Sequence, residues 1–187
     1  MPCVSDPSNF PHIWEVRGLL YVPEFITTTQ EAELESFIRT QTHWDWLGKK
    51  RRLPFGFTYS PTKRKIVQPA PPVPPILHAL AVRFNEVGML KEVANQIVVQ
   101  EYLPGQGIGK HTDAGDFGPD IISLSLLSPC VMRFRHEGRT THNVVLDPRS
   151  ALAMTGEARQ DWTHEIPGTS VRARRLSITF RTFGGLI

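Results

Sequence analysis

The spacing of apolar residues changes halfway along this chain. In the first half, Leu34, Phe37 and Ile38, with Gln41 beyond them, fall at helical intervals behind the threonines of "TTTQEAELESFIRT". Those threonines supply a cap, so the stretch predicts a helix of about three turns. After Pro75, the residues Leu77, Leu80, Ala81, Phe84 and Val87 repeat the pattern, with Gly88 near the helix end. Before the first helix, "GLLYVPEFI" (18–26) reads as a buried strand entering a turn. Between the helices, Phe55, Phe57 and Tyr59 alternate as in a strand. "QPAPPVPP" (68–75) has five prolines in eight residues and reads as a stiff connector.

From Gln96 onward the period shortens to two. "QIVVQEYL", "IISLSLL", "CVMRFRH", "HNVVL", "SALAMT", "WTHEI" and "RRLSITFRTF" follow one another, separated by turns such as "PGQG", "HEGR" and "DPRS". Many short strands at that spacing predict a sandwich or barrel. The expected class is therefore α+β, a helical front (1–95) feeding a β-rich back half (96–187). At 187 residues this is the size of one domain with a substantial core.

Composition adds boundaries. With 40% apolar and 21% charged residues the chain reads as an ordinary soluble globular protein. No run approaches the roughly 20 apolar residues of a membrane-spanning helix, and "MPCVSDPSNFPHIWEV" lacks the pattern of a secretory signal. Cys3 and Cys130 make a poor disulfide framework, so a reducing cytoplasmic setting is expected, with the nucleus the alternative in a eukaryote. Association was not legible beyond an expected monomer.

Charge changes the picture more. Between Trp46 and Asn85 there is no acid, whereas Lys49, Lys50, Arg51, Arg52, Lys63, Arg64, Lys65 and Arg83 carry eight positive charges; thirteen basic residues face eighteen acids elsewhere. Such a segment is either a solvated loop or a surface for a polyanion.

"GKHTDAGDFG" (109–118) raises the question of chemistry. Alone, His111-Thr112-Asp113 is as well explained by a polar turn. In a strand, however, residues i and i+2 share a face and could present an imidazole and a carboxylate to one ion. A further histidine would complete the two-histidine, one-carboxylate set that favours Fe(II) and leaves positions open. His164 in "DWTHEIP" is the best third ligand, lying in a later β-type run. His12, His43, His78, His136 and His142 read as surface or core residues, although His136 and His142 flank a hairpin turn and could meet across strands. The last strand, "RARRLSITFRTF", puts Arg175, Ser177, Thr179 and Arg181 on one face. Paired guanidinium forks suit a dicarboxylate; an amphipathic edge strand facing water is the plainer alternative.

Together, "NQIVVQEYLPGQGIGKHTD", "IISLSLLSPCVMRF", "PRSALAMTGEARQDWTHEIP" and "RRLSITFR" resemble the AlkB family of Fe(II)/2-oxoglutarate dioxygenases over residues 95–183. The resemblance is to the branch with bacterial members and the dioxygenase domain of a tRNA-modifying homologue. It implies a double-stranded β-helix (jelly-roll) core, with the N-terminal helices packed on one sheet. "FGFTYSP" is similar to the family's nucleotide-recognition lid.

By the same resemblance, His111, Asp113 and His164 would bind Fe(II). Arg175 and Arg181 would hold 2-oxoglutarate, with Gln100, Tyr102 and Ser177 assisting, and O2 would be consumed. Phe57 and Tyr59 would contact a nucleotide, and Arg51 and Arg52 its phosphates. Leu127 stands where the family usually has glycine, as does Glu165. Gly115 stands where some members carry a base-contacting aspartate, a role that would pass to Asp116 or Asp120. The implied activity is oxidative demethylation (dealkylation) of N-alkylated nucleobases in DNA or RNA, single-stranded or with the base flipped out. The alternatives are hydroxylation of a modified tRNA wobble uridine, or a non-catalytic nucleic-acid-binding module on the same fold.

Overall fold

The computed structural model describes residues 13–184, with 61, 64, 139 and 140 left out; Cys3, His12 and Arg64 therefore lie outside the described residues. The front half contains β1 (Leu19–Val22), α1 (Thr28–Arg39), β2 (Asp45–Leu47), β3 (Lys50–Phe55), β4 (Phe57–Ser60), β5 (Lys65–Pro69) and α2 (Pro75–Glu86). The back half contains β6 (Gln96–Tyr102), β7 (Ile108–His111), β8 (Phe117–Leu126), β9 (Cys130–Arg135), β10 (His142–Leu146), β11 (Ala151–Met154), α3 (Gly156–Gln160), β12 (Thr163–Ile166) and β13 (Arg175–Phe183).

Two antiparallel sheets face each other. The larger has the order β1-β11-β8-β13-β6-β3-β2, the smaller β10-β9-β12-β7, and β4 and β5 form a separate hairpin. Period-two alternation sorts the large sheet's side chains into two environments. Leu53, Ile97, Val99, Ile122, Leu124, Leu176, Ile178 and Phe180 point outward and share one apolar cluster with Leu34 and Ile38 of α1 and Leu77, Leu80 and Phe84 of α2. Leu19, Tyr102, Ile121, Leu152 and Met154 point inward and meet Met132, Phe134, Leu146 and Ile166 of the small sheet. Both helices thus cover one face of the large sheet, and the other face is left to line the space between the sheets. This is a jelly-roll.

Local signals set the helices. Thr27 caps α1 and Gln30 returns a hydrogen bond to it, a reciprocal capping box. Pro75 opens α2 at the position where its missing N–H costs nothing. The proline run connects β5 to α2 through 70–74, with Gln68 and Pro69 ending the strand and Pro75 opening the helix. Four short elements were not legible in advance: β2, β5, β7 and α3. β2 (DWL), β5 (KIVQP), β7 (IGKH) and α3 (GEARQ) are short and mostly polar or proline-flanked, so no apolar period declares itself in them.

Leu127, at the glycine-preferring position, adopts φ of 74°. That left-handed backbone is what glycine takes without a Cβ clash. Here the leucine is held in it while its N–H donates to Glu31 Oε1 on α1 at 2.8 Å, and its side chain packs on the helix-side cluster.

Candidate metal and cosubstrate site

His111 and His164 are directly opposite residues of β7 and β12, and their ring centroids are 4.4 Å apart. The close approach of the strands depends on Gly107, where a Cβ would run into the Ile166 carbonyl oxygen. The strand argument for His111 and Asp113 needs correction. β7 ends at His111, and Asp113 lies in the following loop, so strand parity does not aim its carboxylate.

Arginines do that instead. Arg181 Nη2 donates to Asp113 Oδ1 at 2.6 Å. Arg159, buried on α3, grips the loop backbone, donating to the carbonyls of Asp113 at 3.1 Å and Ala114 at 2.5 Å. Arg159 was missed as a site residue although it stands inside the quoted "MTGEAR". Its role depends on α3, which the strand-like period around it concealed.

The donor set suits a metal ion. His111 Nδ1 lies 2.8 Å from the Gly109 carbonyl; a carbonyl only accepts, so Nδ1 carries the proton and Nε2 keeps its lone pair. Arg181 occupies one carboxylate oxygen of Asp113, and Oδ2 lies 3.5 Å from His164 Nε2. One ligand atom from each of the three residues falls within 4.8 Å of the others. Protonation states agree with this. Burial raises the Asp113 pKa, but Arg181 and the two histidines outweigh it and bring it down to about 2. Burial is the main cause that lowers His164 to about 4, leaving a neutral imidazole.

Beside this cluster, the inner face of the large sheet carries the residues expected for a dicarboxylate. Arg175 pairs with Tyr102 and Ser177 with Gln100 across β13 and β6. Arg175 is fully buried. Its Nη2 donates to Ser125 Oγ at 2.8 Å, while its Nε and Nη1 have no partner. A buried guanidinium with two unused donors is costly unless an anion meets it, so the residues fit a carboxylate-bearing cosubstrate. Tyr102 donates its hydroxyl to Gln100 Oε1 at 2.6 Å, and burial pushes its phenol up to about 12. Ser177 Oγ is 3.0 Å from Ser123 Oγ. Arg181 spends Nη2 on Asp113 and Nη1 on Gln96 and has only Nε without a partner, so Arg175, with two, has more donors to spare.

The site opens into a cavity of about 600 Å³, bordered by Arg52, Tyr59, Gln100, His111, Asp113 and Phe117. Tyr59 leans on Phe117 at 5.2 Å between ring centroids. Phe57 packs edge-on against Phe183 instead and does not border the cavity. Arg51 and Arg52 project from opposite faces of β3. Arg52 borders the cavity and is held by Asp45 and the Tyr59 carbonyl. Arg51 is salt-bridged through two nitrogens to Glu101 and stacks on Trp44. The phosphate role expected of Arg51 and Arg52 meets the same obstacle in both: each guanidinium is already engaged, Arg51 by Glu101 and Arg52 by Asp45 and the Tyr59 carbonyl.

The other departures separate from the site as well. Glu165 points away and accepts from Arg133 and Arg135. Gly115 and Asp116 are exposed, and Asp120 accepts from the Lys91 amide. His136 and His142 each pack against the Trp162 ring.

A family model described as the 2OG-Fe(II) oxygenase superfamily matches residues 18–181. The chain belongs to that superfamily. Its relatives make it an AlkB-like member. It is 29% identical, over 89% of its length, to an Arabidopsis thaliana protein named "Alkylated DNA repair protein ALKBH8 homolog", covering 58% of that protein. It is 32% identical to mouse "tRNA (carboxymethyluridine(34)-5-O)-methyltransferase ALKBH8" over 91% of this chain and 27% of the mouse protein. The chain thus spans between about a quarter and three-fifths of these relatives' lengths. Among solved structures, OsALKBH1 superposes with a TM-score of 0.68 at 16% identity, covering 88% of this chain and 96% of that one. This AlkB-like oxygenase is a 2-oxoglutarate-dependent dioxygenase that draws on Fe(II), 2-oxoglutarate and O2.

The Arg159 grip carries a prediction. Arg159→Ala is expected to lower metal affinity about ten- to a hundredfold, the usual effect of removing a ligand's support, while 2-oxoglutarate still docks. Metal titration of the apoprotein measures it; unchanged affinity would mean Arg181 alone positions Asp113.

Proposed function

We propose that this oxygenase dealkylates N-alkylated nucleobases presented in single-stranded or flipped-out form, with His111, Asp113 and His164 as the Fe(II) ligands. The observation that carries the reading is the cavity in front of those ligands. About 600 Å³ is within the range that holds a drug-sized ligand, roughly 300–1,000 Å³, and its border combines aromatic faces with cations. Tyr59 and Phe117 offer π surface to a planar base, and Lys110 stands on the border where a phosphate would enter.

The bound iron, with 2-oxoglutarate and O2, supplies oxidising power for an unactivated C–H bond. Overall, an N-methyl base, O2 and 2-oxoglutarate give the free N–H base, formaldehyde, succinate and CO2. Within that scheme Arg181 fixes Asp113, and the His111 tautomer is set by Gly109. Arg175 with Tyr102 and Gln100 would receive the cosubstrate, and Tyr59 with Phe117 would orient the base.

A second reading keeps the chemistry and changes the target: hydroxylation of a modified tRNA wobble uridine side chain. The ALKBH8-named relatives favour it. Incubation with N-methylated oligonucleotides and with tRNA, assayed for succinate, formaldehyde and a retained hydroxyl, separates the two. Formaldehyde from oligonucleotides supports dealkylation; an added oxygen on tRNA without formaldehyde supports the second reading. Succinate formation dependent on neither sinks both.

The nucleic-acid surface is tested separately. Lys63 and Lys65 are exposed beside the β4–β5 hairpin. Replacing both with alanine should lower the salt slope of single-strand binding by about 1.4, at ~0.7 per phosphate contact. Arg51→Ala should leave the slope unchanged because Glu101 already occupies it. A slope that falls in Arg51→Ala and not in the double variant would place the phosphates elsewhere.

A further inference from the structure

Lys50 is the group on the inner face that nothing so far explains. It lies on β3 one residue before the Arg51↔Glu101 pair, so alternation turns it, like Arg52, toward the space between the sheets. Its Nζ is buried, has no hydrogen-bond partner, and sits 4.6 Å from the centre of the Tyr102 ring. Arg175 Cζ is 5.2 Å from the centre of the same ring. Two buried cations thus converge on one tyrosine, and neither has a carboxylate. Among the described residues, Asp113 is spoken for by Arg181, and Glu101 lies on the opposite face with Arg51 and Arg174.

An ammonium in this position carries a large desolvation cost. The π face of Tyr102 offsets it only in part. Burial first, and then the charge of Arg175, lower the Lys50 pKa to about 8, which records the same strain. A carboxylate lodged against Tyr102 would answer both cations at once, using the free Nε and Nη1 of Arg175 and the free Nζ of Lys50.

We propose that Lys50 is the second cation of the 2-oxoglutarate site, pairing with Arg175 to hold the cosubstrate carboxylate remote from the metal. This rests on the cosubstrate reading above and adds a residue to it. Lys50 is a binding group, and a structural role limited to packing on Tyr102 predicts no cosubstrate effect.

The test is anaerobic titration of 2-oxoglutarate into the Mn(II)-loaded protein by calorimetry, for the parent, Lys50→Met and Lys50→Arg. Lys50→Met should weaken 2-oxoglutarate binding about ten- to a hundredfold, the worth of one charge-assisted hydrogen bond, with Mn(II) affinity unchanged. Parent affinity should fall about tenfold between pH 7 and pH 9. The lysine is charged below pH 8 and must be charged to bind, so raising the pH makes binding take up a proton.

Other groups facing Lys50 do not titrate in that window. Tyr102 on β6 is raised to about 12, and the Cys130 thiol on β9 is raised by burial; the remaining neighbours, Arg175 on β13 and Arg52 on β3, are guanidinium groups. Lys50→Met should abolish the pH slope; Lys50→Arg should keep the affinity and also lose the slope, so it decides the matter even if the methionine variant folds poorly. Parent-like affinity in Lys50→Met, or a parent slope that persists in Lys50→Arg, overturns the proposal. A parent that binds Mn(II) but no 2-oxoglutarate overturns the cosubstrate reading itself.

Discussion

Asp113→Ala and His111→Ala are each expected to reduce 2-oxoglutarate turnover by about 10³-fold or more, while single-stranded oligonucleotide binding stays nearly at the parent level. The magnitude follows from the loss of a ligand in a three-ligand set, since metal polarisation is worth several kcal/mol. The two variants should differ in the free protein. His111 is half-buried at the end of a strand, and its removal leaves the Gly109 carbonyl near solvent. Asp113 neutralises Arg181 and faces His164, so its removal leaves a buried guanidinium without its anion and costs stability.

Asp113→Asn is the informative control. It keeps the shape and a hydrogen-bond acceptor for Arg181 but lacks the charge, so metal affinity should fall while folding survives. Thermal unfolding with and without Mn(II), alongside succinate assays, tests the set. Turnover persisting in either alanine variant would refute the ligand assignment.

The fold was legible wherever a period ran long enough. β6, β9, β10, β11, β12 and β13 match the runs read from alternation to within a residue at each end, β8 begins four residues before its run, and α1 and α2 follow the helical spacing. The site was legible as residue types, and its assembly was less so. The three ligand residues converge, but the reason given for Asp113, a shared strand face, is not the one that operates. Its aim is set by Arg181 and Arg159 across the sheets, contacts separated by 68 and 46 positions. No local pattern encodes such a contact.

The basic segment shows the opposite failure. Counting charges treated Lys49 to Arg52 as one surface, although strand parity divides it: Arg51 pairs with Glu101 on the helix side, whereas Lys50 and Arg52 turn toward the space between the sheets, where Arg52 borders the cavity. Parity counted back from Phe55 along β3 would have found the division, although the alternation read through Phe55, Phe57 and Tyr59 itself breaks at Gly56, φ 77°, between β3 and β4. Arg83, counted with the same charges, stacks on Phe25 beside α2.

Arg175→Met is expected to separate binding from stability in opposite directions. In the free protein Arg175 is fully buried, with one hydrogen bond to Ser125 and two unused nitrogens. Methionine of similar length would fill the space without a charge to desolvate. Replacing buried charge by apolar volume is often neutral or stabilising, so the melting temperature without cosubstrate should hold or rise. Relief of Lys50 adds to this, because Arg175 is one cause of its lowered pKa.

With 2-oxoglutarate the order should reverse. The parent gains stability in proportion to ligand saturation, whereas the variant, short of a fork that meets a carboxylate at two points, should bind about 10²–10³-fold more weakly and show little shift. The pair of melting curves, with and without saturating 2-oxoglutarate on Mn(II)-loaded protein, reads both effects at once. If the variant unfolds earlier in both conditions, Arg175 is holding the sheet together. If it is unchanged without cosubstrate and shifts fully with it, the carboxylate docks elsewhere. The expected crossing of the curves requires that the buried charge be kept for a ligand, because the folded chain alone gives it too few partners.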